Sequence, residues 1–103
     1  MNKDKFLLLK VMEECAEVSQ RASKLIQFGW DEVEAGQELN NQQRFQNEVT
    51  DLICVLQMLN SSIVTPVKLH TTLEQFSDKV EKVAKYYKYS KDLGSYEKYF
   101  NTI

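Results

Sequence analysis

The sequence predicts an all-α fold: three main helices in one domain over residues 1–103, with a four-helix-bundle-type core completed by oligomerisation. Three observations carry this. Apolar residues recur at steps of three and four through most of the chain. Only three glycines and one proline interrupt it, and they fall between the periodic runs. A composition of 43% hydrophobic and 27% charged residues is that of a soluble, ordered, helix-rich chain. Three helices in so short a chain bury little surface, which association with another copy remedies.

The first helix is expected from about residue 4 to 28, capped by Asn2 or Asp4 and stopped by Gly29. Its core-facing stripe reads Leu8, Val11, Cys15, Val18, Ala22 and Leu25. Projection at about 100° per residue puts Glu14 at the edge of that stripe and Glu17 further round. Lys10, Arg21, Lys24 and Phe28 fall on the same flank. Residues 29–40 hold two glycines and four acids and form a loop, and loops this long in small domains are more often functional than idle.

The second helix is expected over residues 41–62, with Asn40 as N-cap and Gln43 as its reciprocal partner. Phe45, Val49, Leu52, Leu56 and Leu59 form its stripe, with Val55 beside it. Glu48 falls inside that apolar sector, where an ordinary solvated glutamate does not belong. Asp51 sits one step outward. Thr65-Pro66 disfavours a helix through residues 61–70. Thr71 or Thr72 then restarts one, Thr71 pairing with Glu74 in a capping box, and Gly94 ends it. Its stripe is Leu73, Phe76, Val80, Val83, Ala84 and Tyr87, with Lys79, Lys82 and Tyr86 on one flank. The last nine residues, with Tyr96, Tyr99 and Phe100, are aromatic enough to pack on a neighbour.

The net charge of −2 argues against nucleic-acid binding as the main task. No apolar run is long enough to span a bilayer and the N-terminus lacks a signal-peptide core, so a cytoplasmic location without membrane attachment is expected. Cys15 and Cys54, in no CxxC spacing, read as reduced core residues. Met12 and Met58 read as core fillers, and the single His70 as a surface residue.

The chemistry concentrates in Glu13-Glu14-Cys15-Ala16-Glu17 and Glu48-Val49-Thr50-Asp51. Residues three apart on a helix share a face, so Glu14 with Glu17 and Glu48 with Asp51 bring four carboxylates together when the helices pack. Crowded like charges repel unless a hard cation binds them, and Mg²⁺, or Mn²⁺ in its place, prefers oxygen ligands. A metal-bound polyphosphate fits such a site, with Arg21, Lys24, Lys79 or Lys82 on its remaining oxygens. Glu13, on a slightly different bearing, is placed to orient or deprotonate a water. Trp30 and Phe28 are candidates to stack on a base.

These residues resemble the MazG-type all-α nucleoside triphosphate pyrophosphohydrolases, whose pattern is Glu-Glu-x-x-Glu followed by Glu-x-x-Asp on the next helix. The strings EECAEVSQRASK, FGWDEV and KVEKVAKYYKYSK also look like the short single-domain members found in phages and bacteria, so the likeness covers residues 6 to 94. One departure is the 30 residues between Glu17 and Glu48, a longer gap than is usual. The resemblance implies cleavage of a nucleoside triphosphate to monophosphate and pyrophosphate. It makes Glu14, Glu17, Glu48 and Asp51 the metal ligands, Glu13 the water-activating residue, and the protein a homodimer or homotetramer. Family substrates range over ordinary and damaged nucleotides.

Two other readings compete. A ferritin-like di-iron protein needs Glu-x-x-His motifs, and the one histidine follows no helical glutamate at that spacing. A non-catalytic helical interaction module has no use for all five acids.

Overall fold

The computed structural model describes residues 2–94; the aromatic stretch beyond, with Tyr96, Tyr99 and Phe100, lies outside them. Three helices and no strand occur among the described residues: α1 (Lys3–Phe28), α2 (Asn41–Asn60) and α3 (Leu73–Leu93). The chain forms two compact units, Met1–Leu69 and His70–Ile103.

In the first unit α1 and α2 form an antiparallel hairpin. At one end the Ser62 hydroxyl, just past α2, donates to the Asp4 carboxylate in the first turn of α1. At the other end the Asn41 side-chain amide, first residue of α2, donates to the Gly29 carbonyl at the end of α1 (2.9 Å). Local chemistry sets the limits. The Asn2 side chain accepts from the Lys5 backbone N–H, and Gly29 leaves the helix with φ of 88°, a conformation that side chains resist. Asn40 and Gln43 form the expected reciprocal capping box.

The seam of the hairpin has a heptad-like spacing of four and three. On α1, Leu7, Arg21 and Leu25 are buried, with Val11, Glu14 and Val18 half-buried between them. On α2, Asn41 and Leu59 are buried, with Phe45, Glu48, Leu52 and Val55 half-buried between. Such spacing keeps one stripe of each helix against the other along its whole length. The seam is apolar at the Leu7–Leu59 end, where Leu59 is 1% exposed, and four polar residues interrupt it: Glu14, Arg21, Asn41 and Glu48.

The α1 seam therefore lies a step round from the expected stripe. Val11, Val18 and Leu25 belong to it, but Leu8 and Cys15 are exposed, and Leu7 takes the end position. The apolar sector of α1 is wider than one partner helix covers, and α2 covers its Leu7 side. Cys54 is likewise free and exposed rather than core, and so are Met12 (68% exposed) and Met58. No helix of the described residues is long and apolar enough to cross a membrane.

The second unit contains α3. Its capping box is Thr72 with Gln75, one residue later than Thr71 with Glu74, and Gly94 closes it in the left-handed conformation (φ 64°). The expected stripe of Leu73, Phe76, Val80, Val83, Ala84 and Tyr87 is not a core here: each is exposed, and no residue of α3 is buried among the described residues.

Candidate metal centre

Glu14 and Glu48 hold seam positions on facing helices, and Glu17 follows Glu14 by one turn. One carboxylate oxygen from each of these three lies within 4.8 Å of the others. Glu14 and Glu48 are half-buried, and Glu17 is exposed at the rim. One oxygen of Glu14 and one of Glu48, both named Oε2, are shut off from solvent without a hydrogen-bond donor among the described residues. Buried polar atoms are normally satisfied, because an unmade hydrogen bond leaves the desolvation penalty standing.

The electrostatics are those of crowded carboxylates. Burial is the largest cause that raises the Glu14 carboxyl above its ordinary value, followed by the negative charges of Glu17 and Asp51. The Glu48 carboxyl is raised first by its close contact with the Glu17 carboxylate, then by burial, then by the charges of Glu17, Asp51 and Glu14. Three hard oxygen donors, two of them carrying an unsatisfied atom, fit a divalent cation of the Mg²⁺ or Mn²⁺ kind.

Asp51 is exposed and stands outside the converging three, although its charge reaches both Glu14 and Glu48. Glu13 also stands outside. Its carboxylate accepts a hydrogen bond from the Lys10 ammonium at 3.0 Å, an attachment that raises the lysine's pKa. The same ammonium lies 5.4 Å from the centroid of the Phe6 ring.

Beside the acids opens a polar cavity of about 460 Å³, lined by Glu17, Glu48, Arg21, Arg44, Gln37 and Asn47 among others. Arg21 is 8% exposed, and its Nη1 is buried without an acceptor among the described residues. The i to i+4 spacing from Glu17 allows an ion pair, yet none forms among the described residues. Arg44, which sequence reasoning left out, faces the same cavity. Its signal was present: Arg21 follows Glu17 by four residues and Arg44 precedes Glu48 by four, so an antiparallel hairpin carries both arginines to one end of the acid cluster.

The other expected substrate contacts are dispersed. Lys24 sits with its ammonium 5.3 Å from the Phe28 ring centroid and lines a smaller cavity of about 320 Å³ with Glu32, Glu34 and Asn41. Trp30 lines another of about 540 Å³ with Leu25, Phe45, Gln42 and Gln43. Lys79 and Lys82 are exposed residues of α3, in the other unit. Compared with protein-family models, with curated proteins and with solved structures, the chain matches none.

Proposed function

We propose that this chain is a Mg²⁺-dependent nucleoside triphosphate pyrophosphohydrolase of the MazG-like kind, acting as a homodimer or homotetramer in the cytoplasm. The observation that carries the reading is the convergence of Glu14, Glu17 and Glu48, with two buried unsatisfied oxygens, on the edge of a cavity that also holds arginines. A free carboxylate cluster is electrostatically unfavourable, and an arginine beside it with an open donor suits a ligand that brings both a cation and an anion. A metal-bound polyphosphate does so.

Glu14, Glu17 and Glu48 would hold the metal directly, with Asp51 completing the set from one turn further along α2. When bound, Mg²⁺ neutralises the carboxylates and draws charge from phosphate oxygens. Arg21 donates to the phosphate chain from a site already stripped of water, where a charge-assisted hydrogen bond is strong. Lys24 and the Trp30 ring, in the same unit as the acids, are the further substrate contacts of this reading. Glu13 exchanges its bond to Lys10 for one to the attacking water and takes the water's proton as the α–β phosphoanhydride bond breaks. The water oxygen ends on phosphorus, and pyrophosphate leaves from the monophosphate. Exposed Leu8, Met12 and Ile26 on α1 support self-association, since they leave apolar surface on a helix whose other face is already packed.

The test is a panel of ribo- and deoxynucleoside triphosphates with Mg²⁺, the products separated so that pyrophosphate is distinguished from single phosphate. Monophosphate plus pyrophosphate from any of them is the expected result, and the ranking gives base and sugar preference. No turnover across the panel, with no effect of Mg²⁺ on stability, would leave a helical interaction module instead.

A further inference from the structure

We propose that Arg44 is a further phosphate-binding residue and that Glu34, from the loop between α1 and α2, is its placeholder: the Glu34 carboxylate occupies Arg44 until a phosphate group of the substrate displaces it. The proposal rests on the function argued above and adds a residue and a device to it.

The geometry begins with Arg21 and Arg44 on one cavity. Arg21, which lines this cavity, is held at 8% exposure, and its Nη1 is buried with no acceptor among the described residues. A buried guanidinium with an open donor is unfavourable until an anion reaches it. Arg44 is in the opposite condition. Its Nη1 donates to the Glu34 Oε2 at 2.8 Å, and the Arg44 side chain is 22% exposed against 59% for Glu34. The arginine is thus packed in place, whereas its partner reaches in from solvent on an irregular loop.

That asymmetry makes the pair exchangeable. An ion pair with one largely solvated member contributes little stability, so breaking it demands little. A phosphate offers more oxygens and more charge than a carboxylate, and the planar guanidinium fork matches it in two-point contact. Glu34 also lies where an anion is favoured: its carboxyl is held below its ordinary value first by the hydrogen bond and charge of Arg44, then by the charges of Arg21 and Lys24. Arg44 therefore already holds an anion, and that anion is a loop carboxylate. The cavity of about 460 Å³ falls within the ~300–1,000 Å³ typical of small-ligand sites.

Inorganic tripolyphosphate with Mg²⁺, titrated calorimetrically into the full chain, reads this without any hydrolysis. Glu34→Gln removes the competing charge and should bind about two- to fivefold tighter than the unaltered chain. Arg44→Gln should bind about tenfold weaker or worse, with Arg44→Lys between the two. Circular dichroism melts establish that each variant is folded, and Glu34→Gln, a change on an exposed loop, keeps the test decisive if Arg44→Gln is not. Glu34→Gln binding no tighter than the unaltered chain overturns the placeholder, and undiminished binding by a folded Arg44→Gln overturns the phosphate contact. The hydrolysis panel fails separately. Tripolyphosphate binding that responds to both variants without turnover of any nucleotide retains the anion pocket and removes the enzyme; turnover with binding unmoved by either variant does the reverse.

Discussion

Glu14 of α1 and Glu48 of α2 face one another across the helix seam, each with a carboxylate oxygen buried and without a hydrogen-bond donor among the described residues. Two apolar side chains at these places would close the seam as Leu7 and Leu59 help to close its far end. Acids there are crowded instead: burial first and then neighbouring negative charge raise the Glu14 carboxyl, and the contact with Glu17, burial and neighbouring charge raise that of Glu48. The hairpin is packed from Leu7 and Leu59 at one end to Leu25 at the other, so the acids are fixed in place despite their repulsion.

Adding Mg²⁺ or Mn²⁺ to chelator-treated protein should raise the melting temperature. Binding to the folded state alone adds RT ln(1 + [metal]/Kd), which is about 2.7 kcal/mol at a hundredfold excess over Kd. For a chain of this size each kcal/mol moves the midpoint by roughly 4–8 °C. Differential scanning calorimetry with and without metal checks this, and coincident melts at millimolar metal would remove the centre.

Glu48→Gln keeps the side-chain volume and removes one charge from the cluster. The metal-free variant should melt about 2–4 °C higher than the unaltered chain, because repulsion with Glu14 and Glu17 is relieved. The same variant should lose the metal-induced shift and drop nucleotide turnover by about a hundredfold or more, the scale felt when one charge-stabilising group is removed. A variant that melts higher and still hydrolyses at full rate would separate the cluster from the chemistry.

Much of this was legible in the sequence because the signals were local. The caps at Asn40–Gln43 and Gly94, the loop at residues 29–40 and the anomalous position of Glu48 each follow from a few neighbouring residues. What escaped was relational. Leu8 and Leu7 are both apolar, and only the approach of α2 decides which is buried. Arg21 and Asn41 look like surface residues in isolation; in the hairpin they lie inside the seam, at 8% and 2% exposure. Arg44 joins the site only because the helices run antiparallel, and Glu13 is paired with Lys10 instead of joining the cluster.

Stability of the metal-free protein should fall as pH rises from 4.5 through the raised values of Glu14 and Glu48. Glu14 and Glu48 hold protons more tightly when folded than at the ordinary carboxyl value of 4.5 that the unfolded chain keeps. Between that value and the raised ones the folded state carries the extra protons, so rising pH through this window destabilises it. Glu34 acts oppositely: its lowered value gives stability that is present above 4.5 and lost as pH falls through its folded pKa. Metal requires ionised ligands, so its stabilising increment should shrink as pH drops through the window. Melting curves against pH, with chelator and with Mg²⁺, should converge in acid and separate toward neutral pH. A constant separation would contradict proton–metal competition at these carboxylates.

In the proposed homo-oligomer, Met12→Glu should shift the chain to monomers. Met12 is 68% exposed on α1, on the side that Leu8, Cys15 and Ile26 share at spacings of three and four and that α2 leaves uncovered. A charge placed within an apolar interface is unfavourable, whereas on a free surface it is neutral. Sedimentation velocity of both proteins decides it. An unaltered chain that is itself monomeric would withdraw the oligomer, and an unchanged assembly in the variant would move the interface elsewhere.

Asn41→Ala should detach the loop from the hairpin while leaving the helices folded. The Asn41 amide nitrogen donates to the Gly29 carbonyl (2.9 Å) and to the Glu32 carboxylate (3.2 Å), and its backbone N–H donates to the Glu32 carbonyl (3.1 Å). Alanine keeps the backbone bond and orphans the two side-chain acceptors, for a loss of about 1–3 kcal/mol. Asn41→Asp is the sharper variant, because it sets a carboxylate against a carbonyl and another carboxylate, and it should be the less stable of the two near neutral pH. Through Glu34, the loop also sets how Arg44 is occupied, so Asn41→Ala should accelerate amide exchange over residues 30–40 and weaken the Glu34–Arg44 pair together. Hydrogen exchange by mass spectrometry separates the cases: faster exchange confined to the loop is expected, whereas uniform acceleration through α1 and α2 would make Asn41 a core residue with no particular hold on the loop.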